Sequence, residues 1–140
     1  MRNKYHNQKV KTSGGKKFDS RLELKVYSAL QRNPIISSIE RQVPLELQAG
    51  FRKCPKCGQV DPLNKKPVRC PLCMEKMIWI APITYVADFL VTTTDKRRIV
   101  VEAKGQMTET ARIKLKIFQR RWSQYPLRVI RCVKGGQVDV

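Results

Sequence analysis

Apolar residues first recur at helical spacing between residues 18 and 33, where Leu22, Val26, Ala29 and Leu30 share one side of a helix. Asp19 or Ser20 can cap its start, Glu23 stands three residues after Ser20 as a capping box requires, and Asn33-Pro34 ends it. Residues 35–47 then carry alternating and β-branched apolar side chains interrupted at Pro44, which reads as a strand near a sheet edge. Beyond a cysteine-rich insert, residues 77–93 read as one or two strands, 94–96 as a turn and 99–103 as a further short strand. Residues 108–122 predict a second helix with Ile113, Ile117 and Phe118 on one face, and 127–133 a closing strand. The order α-β-insert-β-β-α-β holds no internal repeat and predicts an α/β (α+β) fold, a mixed sheet with two helices.

Residues 1–17 are polar and basic, with Ser13-Gly14-Gly15 as a break, and read as a flexible arm able to follow phosphates, leaving residues 18–140 as the folded domain. A chain of 140 residues suits one core with a small appended module. At 41% hydrophobic residues it is too apolar for a wholly disordered basic tail. No run reaches the roughly eighteen apolar residues of a membrane helix, and Met1-Arg2-Asn3-Lys4 opens no signal peptide, so the expectation is a soluble, intracellular (cytoplasmic) protein.

Charge narrows the partners. There are 29 Lys+Arg against 11 Asp+Glu, a formal net charge of +18, and so strong a field favours polyanions, nucleic acid first. A membrane surface fits less well, because the basic residues are spread over several segments and accompany no lipidation motif.

The insert, residues 52–76, contains Cys54-Pro55-Lys56-Cys57 and, after twelve intervening residues, Cys70-Pro71-Leu72-Cys73. Two such knuckles can wrap four thiolates tetrahedrally around zinc. Two disulfides or four ordinary buried thiols are the competing readings, and a reducing compartment disfavours the first. No open coordination position is suggested, so the zinc is expected to be structural, with Lys53, Lys56, Lys65, Lys66, Arg69 and Lys76 offsetting the negative charge. Cys132, alone in the last apolar strand, reads as a plain buried thiol, and His6 has no visible partner.

Among the few acids, Glu23 lies in the first helix, Asp88 within Tyr85-Val86-Ala87-Asp88-Phe89-Leu90, and Glu102 within Val100-Val101-Glu102-Ala103-Lys104. Charge in such apolar settings is expensive unless a cation or partner compensates it. In a strand, Glu102 and Lys104 project from the same face, and Asp88 can reach that point from a neighbouring strand. Two carboxylates can hold a divalent metal that polarises a phosphodiester, and the lysine can orient water or steady phosphate charge. Glu102-Ala103-Lys104 taken alone can equally be a strand-end salt bridge, and Glu23 can equally serve the capping box opposite Ser20.

The arrangement of Glu23, Asp88, Glu102 and Lys104 resembles the PD-(D/E)XK nuclease superfamily. Closer still, residues 16–23 (Lys16-Lys17-Phe18-Asp19-Ser20-Arg21-Leu22-Glu23), Tyr85-Val86-Ala87-Asp88-Phe89 and Val101-Glu102-Ala103-Lys104-Gly105 are similar to small phage-encoded endonucleases of that superfamily, some grouped with Holliday-junction resolvases of the phage endonuclease I type. The resemblance spans residues 16–133 and implies a restriction-endonuclease-like sheet with an inserted zinc ribbon. It implies that Asp88, Glu102 and the Ala103 carbonyl bind magnesium or manganese, that Lys104 acts on the attacking water, and that Glu23 completes the metal site. Ala87 stands where the motif has proline, a position that supplies no ligand. The zinc insert is not a general feature of the superfamily, so its task is not inherited.

The helix after Lys104 carries Arg112, Lys114, Lys116, Arg120 and Arg121 between apolar residues, a pattern able to lie along a phosphate backbone. Lys16, Lys17 and Lys56 add to the expected DNA-binding set, while Trp122 and Tyr125 suit either base stacking or ordinary packing. The reading is a metal-dependent DNA endonuclease acting on branched DNA or four-way junctions, in a bacterial host cell if phage-encoded. A non-catalytic zinc-ribbon nucleic-acid-binding protein is the alternative. Paired cuts in a junction imply a homodimer, with Ile35, Ile36, Trp79 and Trp122 as apolar surface candidates.

Overall fold

The structure is a computed structural model that describes residues 9–12, 14–18, 20–61 and 69–131. In chain order its elements are β1 (Val10–Lys11), β2 (Lys17–Phe18), α1 (Arg21–Arg32), β3 (Ile36–Gln48), β4 (Phe51–Lys53), β5 (Val60–Asp61), β6 (Ile78–Ile80), β7 (Ile83–Thr93), β8 (Arg98–Ala103), α2 (Glu109–Arg121) and β9 (Leu127–Ile130). The fold is mixed α+β, with three sheets and two helices among the described residues. Two compact units emerge, one built from residues up to 43 together with those from 86 onward, the other from Pro44–Tyr85. The inserted unit is therefore longer than the 52–76 stretch its cysteines mark, and its boundaries fall inside β3 and β7.

The first unit centres on a four-stranded sheet in the order β3-β7-β8-β9. β7 and β8 are antiparallel, joined by a tight turn in which Lys96 takes φ 69°, and β8 and β9 are parallel. β3 runs along the sheet edge, so Pro44 removes no hydrogen bond from a central ladder and the strand continues through it. The Ser20 hydroxyl caps α1 by accepting from the Glu23 N–H at 3.1 Å. The helix then buries Glu23, Val26 and Leu30, three and four residues apart, and Val26 and Leu30 pack with Phe89, Val91, Val101 and Ile130. Alternate positions of β7 and β8 thus line one core beneath one helical stripe.

β1 and β2 pair antiparallel, with the Thr12 N–H donating to the Lys16 carbonyl and Gly15 at φ 83° making the turn. The segment expected as an irregular basic arm therefore carries a short hairpin. Its residues 1–8, His6 among them, lie outside the described residues, as do Lys65, Lys66 and Cys132.

α2 departs from the expected face. Leu115 and Phe118 are buried, whereas Ile113 is 51% and Ile117 37% exposed. At about 100° per residue Leu115 lies roughly 200° from Ile113, so the apolar residues of this helix form two stripes, and the one carrying the phenylalanine ring faces inward. Trp122 stacks on Tyr125, with ring centroids 5.7 Å apart, and the Arg98 guanidinium covers Tyr125 at 5.4 Å. Of the other apolar surface candidates, Ile36 packs against the core and Ile35 is 57% exposed.

The second unit holds a three-stranded sheet, β5-β4-β6, in which β4 leads into the first knuckle, β5 follows it and β6 follows the second. Trp79 lies so close over Gly50 that a Cβ there would sit 2.3 Å from its ring, and Arg52 covers the same indole at 5.4 Å. No helix among the described residues is long and apolar enough to cross a membrane.

The two stripes of α2 make a contrast that denaturant melts can read. Phe118→Ala is expected to cost about 3–5 kcal/mol of stability. Ile113→Ser should stay within about 0.5 kcal/mol.

Candidate functional site

The first cluster forms where β7 and β8 part. Their ladder runs from Thr92↔Arg98 to Phe89↔Val101, and at the next position side chains take over from carbonyls. The Asp88 N–H donates to Glu102 Oε2 at 3.3 Å, and the Ala103 N–H donates to Asp88 Oδ2 at 2.9 Å. Each carboxylate thereby satisfies a backbone donor on the opposite strand. β8 remains tied to β9 beyond this point through Ala103↔Ile130 and through the Lys104 N–H, which donates to the Ile130 carbonyl at 2.9 Å. Lys104 is thus held on its backbone while its ammonium lies 3.0 Å from Glu102 Oε1. Glu102 is buried, with one oxygen toward the lysine and the other toward β7.

Glu23 joins from α1. It sits in the first turn of the helix, where the backbone dipole favours negative charge, at the head of the buried stripe that continues through Val26 and Leu30. Its Oε1 accepts from Gln42 Nε2 at 3.0 Å and lies 4.0 Å from the Arg41 guanidinium. The Ser20 cap is made through the Glu23 backbone, and the carboxylate bears electrostatically on Asp88.

Negative charge gathers around Asp88. Burial, then the neighbouring Glu102 charge, pushes its carboxyl up to about 7; the Ala103 N–H opposes this, Glu23 adds to it, and Lys104 offsets part. An acid that resists ionisation beside two other carboxylates and one ammonium is a place where added positive charge lowers the energy. The structure therefore brings Glu23, Asp88, Glu102 and Lys104 together, with Ala103 between the last two. Arg41 and Gln42 are the neighbours that the sequence pattern did not reveal. Gln42 has the left-handed φ of 51°, a backbone state with no signature in a glutamine.

The second cluster is made of thiols. Cys54 Sγ lies 3.4 Å from Cys73 Sγ, Cys57 Sγ lies 3.4 Å from Cys70 Sγ, and all four cysteines are free. These separations far exceed an S–S bond of about 2.05 Å and approach the roughly 3.8 Å between sulfurs of a tetrahedral zinc site. Among the described residues this is the one group of three or more His, Cys, Asp or Glu side chains whose ligand atoms all lie within 4.8 Å. The three carboxylates are gathered more loosely.

The two knuckles repeat one backbone design. The Cys54 N–H donates to the Gln59 carbonyl and the Cys70 N–H to the Glu75 carbonyl, both at 2.8 Å. Gly58 at φ 80° and Met74 at φ 62° follow the second cysteine of each pair. The backbone N–H of Cys57 draws the Cys54 thiol down to about 6. At Cys73 the backbone N–H of Glu75 favours the thiolate, but hydrogen bonding with Cys54 and burial outweigh it and push the thiol up to about 12. Four sulfurs this close cannot all ionise without a cation among them. The cluster can hold a metal ion such as zinc.

The expected DNA-binding side chains are placed as follows. Lys17, Lys56, Arg112, Lys116, Arg120 and Arg121 are exposed and Lys114 is half-buried. Lys16, also exposed, donates to the Tyr27 hydroxyl at 2.6 Å.

Three carboxylates gathered about a lysine at a strand end, and four thiols in the inserted unit able to hold a metal ion, mark a mixed α+β protein. The chain belongs to the family described as "Protein of unknown function (DUF1064)", which it matches over residues 2–137. No curated protein matches it.

The raised Asp88 carboxyl fixes the sign of a pH effect. Well below its ordinary 3.8 the group is protonated in both folded and unfolded chains and folding carries no penalty; as pH rises past 3.8 and through about 7, the folded state loses stability relative to the unfolded one. Asp88→Asn should therefore melt with the parent near pH 3. Near pH 8, without divalent cations, it should be more stable by about 1–3 kcal/mol in thermal melts.

Proposed function

We propose that the protein is a metal-dependent DNA endonuclease of the PD-(D/E)XK type, with a restriction-endonuclease-like core and a structural zinc ribbon. The observation that carries this reading is the junction of Asp88, Glu102 and Lys104 at the opening of the β7–β8 ladder, with Glu23 delivered from α1. A salt bridge alone would explain Glu102 and Lys104. It would not explain the further carboxylates of Asp88 and Glu23, or the burial and neighbouring negative charge that push the Asp88 carboxyl up to about 7.

The donor set suits a hard divalent cation such as magnesium or manganese, with Asp88, Glu102, the Ala103 carbonyl and Glu23 as its holders. When bound, such an ion polarises the phosphodiester and stabilises charge on its oxygens. Lys104, anchored through its backbone to β9, is fixed at the rim, where its ammonium can orient a water or steady the charge of the phosphate under attack. The exposed cations of α2 then hold the neighbouring phosphates, and the net charge of +18 draws DNA to the site. Substrate choice among linear, flapped and four-way DNA follows the resemblance to resolvases, as does a homodimer with two such sites.

Cleavage assays on linear, flapped and four-way DNA test the chemistry. Asp88→Asn, Glu102→Gln and Lys104→Ala should each reduce magnesium-dependent cutting by about 10²-fold or more, while gel shifts show DNA binding retained. EDTA should stop the parent. Parental rates in all three variants would remove the assignment, leaving a basic zinc-ribbon binder as the reading.

Elemental analysis tests the ribbon. One zinc per chain should copurify, and Cys70→Ser should lose both the zinc and the near-ultraviolet signal of Trp79, since metal binding supplies most of the folding free energy of so small a core.

A further inference from the structure

Three non-glycine residues among those described take a left-handed backbone: Met74 closing a cysteine knuckle, Lys96 in the β7–β8 turn, and Gln42. The first two belong to turns, where chain reversal explains them. Gln42 stands within β3, a thirteen-residue strand, where nothing reverses. A left-handed L residue costs roughly 1–3 kcal/mol and persists where its surroundings impose it.

Here the kink delivers a side chain. The Gln42 amide donates to Glu23 Oε1 at 3.0 Å, while the residue as a whole remains exposed. The adjacent Arg41 is used differently: its guanidinium donates to the Lys17 carbonyl and stacks over Phe18 at 3.9 Å, which leaves it 4.0 Å from the same carboxylate oxygen. The closer of these two donors to Glu23 is therefore the neutral one. An amide orients a carboxylate without cancelling its charge, and a carboxylate meant for a cation needs its charge kept.

We infer that Gln42 is the positioning residue for Glu23, its left-handed backbone aiming the amide that fixes this carboxylate toward Asp88 and the metal. This rests on the nuclease reading. Gln42→Gly keeps the backbone accessible and deletes the amide. Gln42→Asn tolerates the same φ with a side chain one methylene shorter, and Gln42→Ala loses both advantages.

The test pairs calorimetric titration of the DNA-free full chain with manganese and cleavage rate against magnesium concentration. Gln42→Gly and Gln42→Asn should weaken manganese binding and raise the magnesium needed for half-maximal cutting by about 10-fold or more, at an unchanged plateau rate and unchanged or higher melting temperature. Glu23→Gln added to Gln42→Gly should cause less further loss than in the parent, because the two act as a unit. Parental metal curves in Gln42→Gly and Gln42→Asn, whatever their melting temperatures, would overturn the inference and leave the nuclease assignment standing. A parent chain that neither binds manganese nor cuts would remove both.

Discussion

Two backbone N–H groups, those of Asp88 and Ala103, are answered by carboxylates instead of carbonyls, and the arrangement of the first unit follows from that substitution. A β-ladder that ends in solvent frays; this one ends on acids, which terminate the pairing of β7 with β8 while keeping the donors satisfied. Because the acceptors are charged, the strand ends gather negative potential in a partly buried place. Lys104 relieves some of it, and Glu23 adds to it from the helix. The neighbouring hydrophobic cluster of Val26, Leu30, Phe89, Val91, Val101 and Ile130 holds the elements that carry these groups.

The ribbon solves a related problem with softer atoms. Its sulfurs are held at mutual distances that suit a shared cation, and although backbone N–H groups favour each thiolate, the thiols differ in acidity because hydrogen bonds among them favour Cys54 as the anion and disfavour Cys73. Soft sulfurs of this kind favour zinc over hard cations such as magnesium, whereas the acids of the first unit present only hard oxygens.

Much of this was legible in the chain. The 3.6-residue pattern of α1, the apolar runs of β7 and β8, and the Cys-x-x-Cys pairs report directly on burial and ligand geometry, so their residues appear where the patterns put them. The face of α2 was not legible, because Ile113 and Ile117 compete with Leu115 and Phe118 and tertiary packing chooses between the stripes. The extent of the inserted unit was hidden because cysteines mark the knuckles but not the strands leading to them. Gln42 was invisible for a different reason: glycine or asparagine would have flagged the left-handed backbone, and a glutamine does not.

The parallel pairing of β8 with β9 carries a consequence for the order of events during synthesis. Val100 to Ala103 find their partners in Leu127 to Ile130, after the chain has passed through α2, and Lys104 is anchored by the last of these. A nascent chain with α1, β3 and β7 already folded still has the acid-bearing strand unpaired on one side. Such crossover pairing closes slowly because a long loop must be brought together first. The acids and the lysine thus acquire their fixed geometry only after residues 127–130 have been made, and a polypeptide released before residue 127 has them all without the strand that sets them.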